Sequence, residues 1–280
     1  MIPHEPAAAA GWRATLDLGF ERRGDATVLA QRRHVGPLRV QKPLYPEGHA
    51  VCHCIVLHPP AGICGGDNLE IGIEVAAGAR ALATTPGAGK WYRSAGAEGT
   101  QALDFRLGPG AALEWLPQES IVFDGARARM AARVELESGA CFLGWEVVCL
   151  GRRGSGERFT RGWLSLGTRI FQEGEPLWFE QGLLVGGSQA LEAPAVLDGA
   201  SVFGTLVAAG VEIDTALLAA CREPAPEQGL GGVTRLPRLL VARYVGNEAE
   251  AARRYFCELW SLLRPALLGR AAVSPRIWST

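Results

Sequence analysis

The chain has 280 residues, 48% of them hydrophobic, and a formal net charge of −1. That is enough apolar sequence for one large core or two modest ones, which excludes a disordered chain, and so small a net charge excludes capture of nucleic acid or anionic membrane by bulk electrostatics. The opening Met-Ile-Pro-His-Glu-Pro and its four alanines lack the basic start and long apolar stretch of a secretory signal, and no later run is long enough to span a membrane, so a cytoplasmic location is expected.

Between Gly36 and Ser94 three phrases mix proline and glycine too densely for ordinary helix or strand: 36–46 (GPLRVQKPLYP), 58–67 (HPPAGICGGD) and 84–94 (TTPGAGKWYRS). Proline fixes φ and glycine reaches angles closed to other residues, so these are shaped loops, the kind that present chemistry or partners. The only two lysines, Lys42 and Lys90, fall within them, in a chain whose other long basic side chains are all arginine. Between the first two phrases, Ala50 to Leu57 reads as a strand with Cys52 and Cys54 on one face and His53 on the other. All five histidines precede residue 59, and His49, Cys52, His53, Cys54, His58, Cys64 and Asp67 crowd together, a set whose donor types suit nickel or zinc. The competing reading makes the cysteines small core hydrophobes and Asp67 a loop anchor accepting backbone N–H groups. An odd count of seven cysteines suits buried thiols better than a disulfide frame.

From residue 71 a unit of roughly thirty residues recurs: an alternating strand, a turn closed by Gly-Ala at Gly78, Gly110 and Gly139, and a second strand. Such repetition predicts stacked coils of β-sheet, with a plain meander as the alternative. Glu114, Glu119 and Asp124 accompany the apolar run after Leu113; they read either as carboxylates for acid–base or cation chemistry or as edge and turn carboxylates in water. Arg152, Arg153, Glu157, Arg158 and Arg161 read as a solvated hairpin end. Strands continue over Phe159–Leu166 and Leu177–Leu184. Helical spacing begins late, at Asp214–Cys221 and Glu248–Leu263, the latter with Asn247 as expected N-cap and Pro265 as expected stop. The expected architecture is one mainly β domain over 1–280, β coils to about residue 210 and a helical part from about 211. The apolar excess on Trp260, Leu263, Leu267 and Leu268, rimmed by Arg264 and Arg270, marks the last helix as an expected interaction surface.

Catalytic motifs fail strict tests. Thr84 to Trp91 lacks the glycine and the hydroxyl residue of a phosphate loop, and neither Ser155 nor Ser188 sits in a Gly-x-Ser-x-Gly elbow. The ordered phrases His58–Asp67, Thr84–Ser94, Glu114–Glu119 and Gly151–Glu157, together with the closing segment from Trp260 to Trp278, resemble the signature segments of the UreD (UreH) family of urease accessory proteins. Ala61 stands where that pattern usually has glycine. The resemblance implies a β-helix-like fold with few helices and a non-catalytic scaffold that binds urease apoprotein and a UreF-type partner. That partner recruits a UreG-type GTPase carrying nickel. No tightly bound cofactor is implied, only transient Ni²⁺, for which His58, Asp67, Glu119 and Asp124 are the candidate stations; Lys90, Tyr92, Arg93, Trp260, Leu267 and Leu268 are the candidate partner surface. The rival readings are a β-helical polysaccharide-acting enzyme using Glu114, Glu119 and Asp124, and a metal-dependent hydrolase centred on His53 and His58.

Overall fold

Three successive coils set the architecture of the computed structural model, which describes residues 11–279. Ahead of them come β1 (Arg13–Arg23), β2 (Ala26–Val35), β3 (Arg39–Val40) and β4 (Cys52–Leu57). The coils are β5 (Asn68–Val75), β6 (Arg80–Thr84) and β7 (Gly89–Trp91); then β8 (Gly99–Leu107), β9 (Ala112–Leu116) and β10 (Ser120–Val122); then β11 (Arg127–Leu136) and β12 (Cys141–Leu150). The hairpin β13 (Trp163–Gln172) and β14 (Glu175–Val185) and the short α1 (Gln189–Glu192) follow. The chain ends with β15 (Val202–Ala209), α2 (Thr215–Arg222), β16 (Leu230–Leu236), β17 (Leu239–Gly246) and α3 (Ala249–Leu268).

Equivalent strands stack in parallel. Sheet one runs β14-β13-β11-β8-β5-β1-β2, parallel from β1 to β13, and sheet two runs β16-β17-β15-β12-β9-β6-β4-β3, parallel from β4 to β12. The expected glycines occupy equivalent turns: Gly78, Gly110 and Gly139 have φ of +67°, +63° and +68°. Their backbones form a ladder, with Gly78 N–H donating to Pro109 O at 2.9 Å and Gly110 N–H to Ser138 O at 2.9 Å. The alanine after each glycine (Ala79, Ala111, Ala140) is buried, so each Gly-Ala pair combines a left-handed turn with a small inward residue.

Alternation along β12 divides two cores. Phe142, Val148 and Leu150 join the core between the sheets, whereas Leu143, Trp145 and Val147 join a second core beneath α2 and α3. β4 divides likewise: Cys52 and Cys54 are fully buried between the sheets, and His53 points the other way and is also buried.

Several expectations need correction. The part expected to be helical contains the hairpin β16–β17, which extends sheet two antiparallel through β15. The strand expected at 159–166 forms instead as β13, because Phe159–Gly162 is taken up in a loop, whereas the one expected at 177–184 lies within β14. Asn247 does not cap α3: Glu248 is the N-cap, and the Asn247 Oδ1 accepts from Ser201 N–H and Oγ–H. Pro265 lies inside the helix, which ends at Gly269 in the left-handed region. Both Pro265 and Ser261, whose carbonyl loses its helical donor, are exposed, so water can satisfy that oxygen. Trp260, offered as partner surface, is 1% exposed, and Leu263 is fully buried. Leu267 and Leu268 remain partly exposed.

The second core encloses an ionic network. The fully buried Arg264 donates from Nε to both Glu114 oxygens (2.9 and 3.0 Å), from Nη2 to Glu47 Oε1 (2.5 Å) and from Nη1 to Ala271 O. Trp260 Nε1 donates to Glu114 Oε1 at 2.6 Å, and His53 Nε2 lies 2.6 Å from Glu47 Oε1. Glu114 is therefore a buried ion-pair partner and not a carboxylate in water. Burial opposes ionisation of both acids. At Glu47, hydrogen bonds from His53 and Arg264 prevail and hold the carboxyl at about 2; at Glu114, burial prevails and the pKa is raised.

Arg264→Met leaves two buried carboxyl groups without their shared guanidinium and is expected to destabilise the fold by about 3–5 kcal/mol in urea unfolding, with much of the loss recovered in Arg264→Met/Glu47→Gln/Glu114→Gln. A loss below about 1 kcal/mol would mean the network is solvated. The Glu47 contribution is present above the unfolded value near 4.5 and is lost as pH falls toward about 2, so acid should narrow the gap between parent and Arg264→Met.

Candidate functional site

Stacking brings the 58–67 and 84–94 phrases onto one surface, whereas 36–46 pairs through β3 and Leu44 with β4 at the edge of sheet two. The 58–67 loop bridges to β7 through Ile63 and Trp91: Ile63 N–H donates to Lys90 O at 2.7 Å, and Tyr92 N–H to Ile63 O at 2.9 Å. β7 pairs in parallel with β10, and β10 with the end of β12. Together they form a narrow third side of the coil. Lys90, Tyr92 and Arg93 thus lie against the 58–67 loop, as one repeat of separation predicts. Gly62 is required there, since a Cβ on it would come within 2.2 Å of Tyr92 Cε2. Tyr92 meets Phe123 edge-on at 5.1 Å, and the Arg152 guanidinium covers Phe123 at 4.5 Å.

The four candidate nickel stations separate into two kinds. Asp67 is an anchor: Oδ1 accepts from Trp12 N–H and Oδ2 from Cys64 N–H, both at 2.8 Å. Asp124 is a hub, with Oδ1 accepting from Thr160 N–H (2.7 Å), Thr160 Oγ–H (3.0 Å) and Arg161 N–H (2.9 Å), and Oδ2 from Arg161 Nε and Nη2. Burial disfavours its charge, but bonds from Arg161 and Thr160 prevail and hold the carboxyl at about 2. The charged 152–161 segment is solvated as expected, but it is a loop with a 3-10 turn and not a hairpin end, and Glu157, Thr160 and Arg161 tie it to Asp124. His58 and Glu119 are the open pair. His58 Nε2 and Glu119 Oε2 are buried without hydrogen-bond partners among the described residues, although Arg253 Nη1 stands 3.9 Å from that Glu119 oxygen. Burial lowers the His58 pKa against the pull of Asp67, favouring neutral imidazole. Among the described residues no three His, Cys, Asp or Glu side chains are grouped to hold a metal ion.

His58 opens onto a feature that spacing alone does not bring forward. A cavity of about 260 Å³ lies inside the coil, lined by His58, Ile63, Trp91, Gln101, Ser120 and Glu146 among others. Glu146 reaches it from β12 as the lone acid on that strand's inward face, following Phe142 and Gly144. Among the described residues its carboxyl has one hydrogen bond, from Ser120 Oγ at 3.2 Å. Burial raises its carboxyl to about 7, the Ser120 bond opposing only in part. A second, smaller cavity lined by Gln101, Met130 and Thr168 touches the same carboxyl. The signal for Glu146 in the sequence is a single acid breaking an otherwise apolar inward alternation.

These features define a β-solenoid scaffold whose apolar interior holds a small cavity with polar groups, not a carboxylate-pair hydrolase. Glu114 is consumed by Arg264 and Asp124 by Arg161, and His53 is held by Glu47. Residues 13–279 match the family profile described as UreD urease accessory protein. Similar proteins include urease accessory protein UreD of Azoarcus sp. (strain BH72), 57% identical over 98% of this chain and 96% of that one. UreD of Dechloromonas aromatica (strain RCB) is 54% identical over 99% and 97%, and UreD of Pseudomonas fluorescens (strain Pf-5) 49% identical over 98% and 99%. The chain belongs to the UreD family of urease accessory proteins. Its role is in urease maturation, as an accessory factor and not as a catalyst. Among the described residues no helix is long and apolar enough to cross a membrane.

Ala61 sits in the left-handed region at φ +64°, its N–H closing a turn on His58 O at 2.9 Å. Ala61→Gly should therefore stabilise the protein by about 1 kcal/mol, seen as a higher urea midpoint at unchanged slope. An unchanged or lower midpoint would show the turn is unstrained.

Proposed function

We propose that the protein acts in the cytoplasm as docking scaffold and ion conduit for urease. It binds urease apoprotein and a UreF-type partner, receives Ni²⁺ from the UreG-type GTPase which that partner recruits, and passes the ion through its interior toward the urease site. The observation that supports the conduit is the cavity between His58 and Glu146. A cation entering an apolar core needs compensating groups, and here a neutral imidazole and a carboxyl ionising near neutral pH face the same space. Each has at most one protein partner, so either can bind weakly and let go, whereas a closed set of ligands would trap the metal. Glu146 can release its proton as the cation arrives, so that its carboxylate offsets one of the ion's two positive charges. Glu119 stays in the reading as an outer station beside Arg253. Asp67 and Asp124 keep a structural part, holding the loops around the entrance. Docking falls to the narrow side at Lys90, Tyr92 and Arg93, and to Leu267 and Leu268.

Glu146→Gln retains shape and the Ser120 hydrogen bond but removes the exchangeable charge. In a nickel-limited assay it should lower urease activation severalfold while the accessory complex still co-purifies; normal activation would overturn the conduit. The substitution also reports on the buried carboxyl itself. A carboxyl raised to about 7 favours the fold below its unfolded value near 4.5, and that contribution is lost as pH rises through 7. The glutamine variant should therefore be more stable than the parent at pH 8, by unfolding measurements independent of nickel.

A further inference from the structure

The narrow side of the coil carries an excess of positive charge built on a fixed frame. Arg93 and Arg161, each about two thirds exposed, converge on the single buried carboxylate of Asp124, at 3.9 and 2.8 Å. Beside them Arg152 holds Glu157 through Nε (3.2 Å) and Nη2 (2.7 Å), and Glu157 Oε1 accepts from Asp124 N–H at 3.1 Å. Arg153 and the exposed Arg158 continue the patch, the latter 3.8 Å from Glu192. By strand register Lys90 lies beside Ile121, and its ammonium makes no ion pair among the described residues. Six cations therefore face three carboxylates, two of which are turned inward to hold guanidinium groups, in a protein of net charge −1.

We propose that this side docks an acidic segment of a partner protein, whose carboxylates bridge Arg93, Arg152 and Lys90. The proposal rests on the docking role given above to Lys90, Tyr92 and Arg93, and adds the chemistry of what is docked. Arginine forks already ordered by Asp124 and Glu157 match carboxylates bidentately and lose little freedom on binding. The same frame argues against other polyanions. Single-stranded nucleic acid needs free ring faces for stacking, but Phe123 is covered by Arg152 and Tyr92 packs over Gly62 and edge-on to Phe123. A membrane surface needs apolar side chains to insert, and none of the large exposed ones belongs to the 90–93 or 152–161 segments that carry the cations.

Binding of a labelled poly-L-glutamate peptide to the full chain, followed by anisotropy, tests this. Expected are binding that weakens as salt rises, and at least about a tenfold loss in Arg93→Glu and in Lys90→Glu but not in Arg33→Glu on β2. Circular dichroism melts of each variant identify any loss due to unfolding, and Lys90→Gln serves as a milder second variant. Equal loss in the Arg33→Glu control, no binding at all, or tighter binding of an oligonucleotide or of phosphatidylserine vesicles lost on the same substitutions would overturn it. Urease activation by the same variants separates the two readings. Lost activation with unchanged peptide binding removes the acidic partner and leaves docking at this side; unchanged activation and unchanged peptide binding remove both.

Discussion

The arrangement depends on one guanidinium. Arg264, on the last helix, is fully buried and joins Glu47 of the loop before β4, Glu114 of β9 and the carbonyl of Ala271 beyond the helix. Sequence separations of 217 and 150 residues are closed by a single side chain. Removing three charges from water is costly, and their attraction offsets that only where every donor and acceptor is matched. Here Trp260 and His53 complete the set, the former on Glu114 and the latter on Glu47. A cation serving two carboxylates cannot satisfy both equally. Glu47, with His53 as second donor, is held ionised, while Glu114, more deeply enclosed, is pushed toward its neutral form. The network is thus better understood as fixing where α3 sits than as a large source of net stability.

Fixing α3 has consequences for the coil beneath it. Sheet two faces the intersheet core on one side and the helices on the other, so its inner strands β4, β6, β9 and β12 are buried on both faces and read as nearly continuous apolar sequence. Only with the helices in place can Trp145, Val147 and Leu143 be internal and their neighbours Phe142, Glu146 and Val148 be aimed at the interior. The orientation of Glu146 is therefore set by register, through the same alternation that buries Trp145. Stacking does the equivalent for the loops: the 58–67 and 84–94 phrases share one narrow side with β10 because each sits at the same point of its coil.

What the sequence makes legible follows from the range of the forces involved. The Gly-Ala turns are legible because left-handed φ restricts residue choice locally, and the split of Cys52 and Cys54 from His53 is legible because strand alternation is local too. Proximity of the 58–67 and 84–94 loops follows from the repeat length. Long-range partners leave no such trace. Glu114 resembles its exposed neighbours until Arg264 is found 150 residues away, and Asp124 resembles a turn acid until Thr160 and Arg161 fold onto it. For the same reason Trp260 and Leu263 suggest a surface when α3 is considered alone; an apolar excess on a helix does not say whether a partner or the protein's own second sheet covers it. The antiparallel extension through β15, β17 and β16 is hidden because it breaks the repeat.

Conduction and docking make opposite demands on polar groups, and the molecule separates them. On the narrow side Arg152 and Arg161 are tied to carboxylates, so the surface is preorganised and its charge does not depend on pH near neutrality: Asp124 ionises far below it. Inside the coil the reverse holds. His58 Nε2 has no partner and Glu146 has one weak donor, and burial brings the carboxyl close to physiological pH instead of driving it away. A group so poised is costly to keep in a core, because each additional donor that would stabilise its charge would also lower its pKa and fill the coordination a passing cation needs. The sparseness of hydrogen bonds around Glu146 is the physical condition for exchange, and the rigidity of the shell formed by Arg264, Glu114 and the stacked turns is what allows the fold to tolerate it.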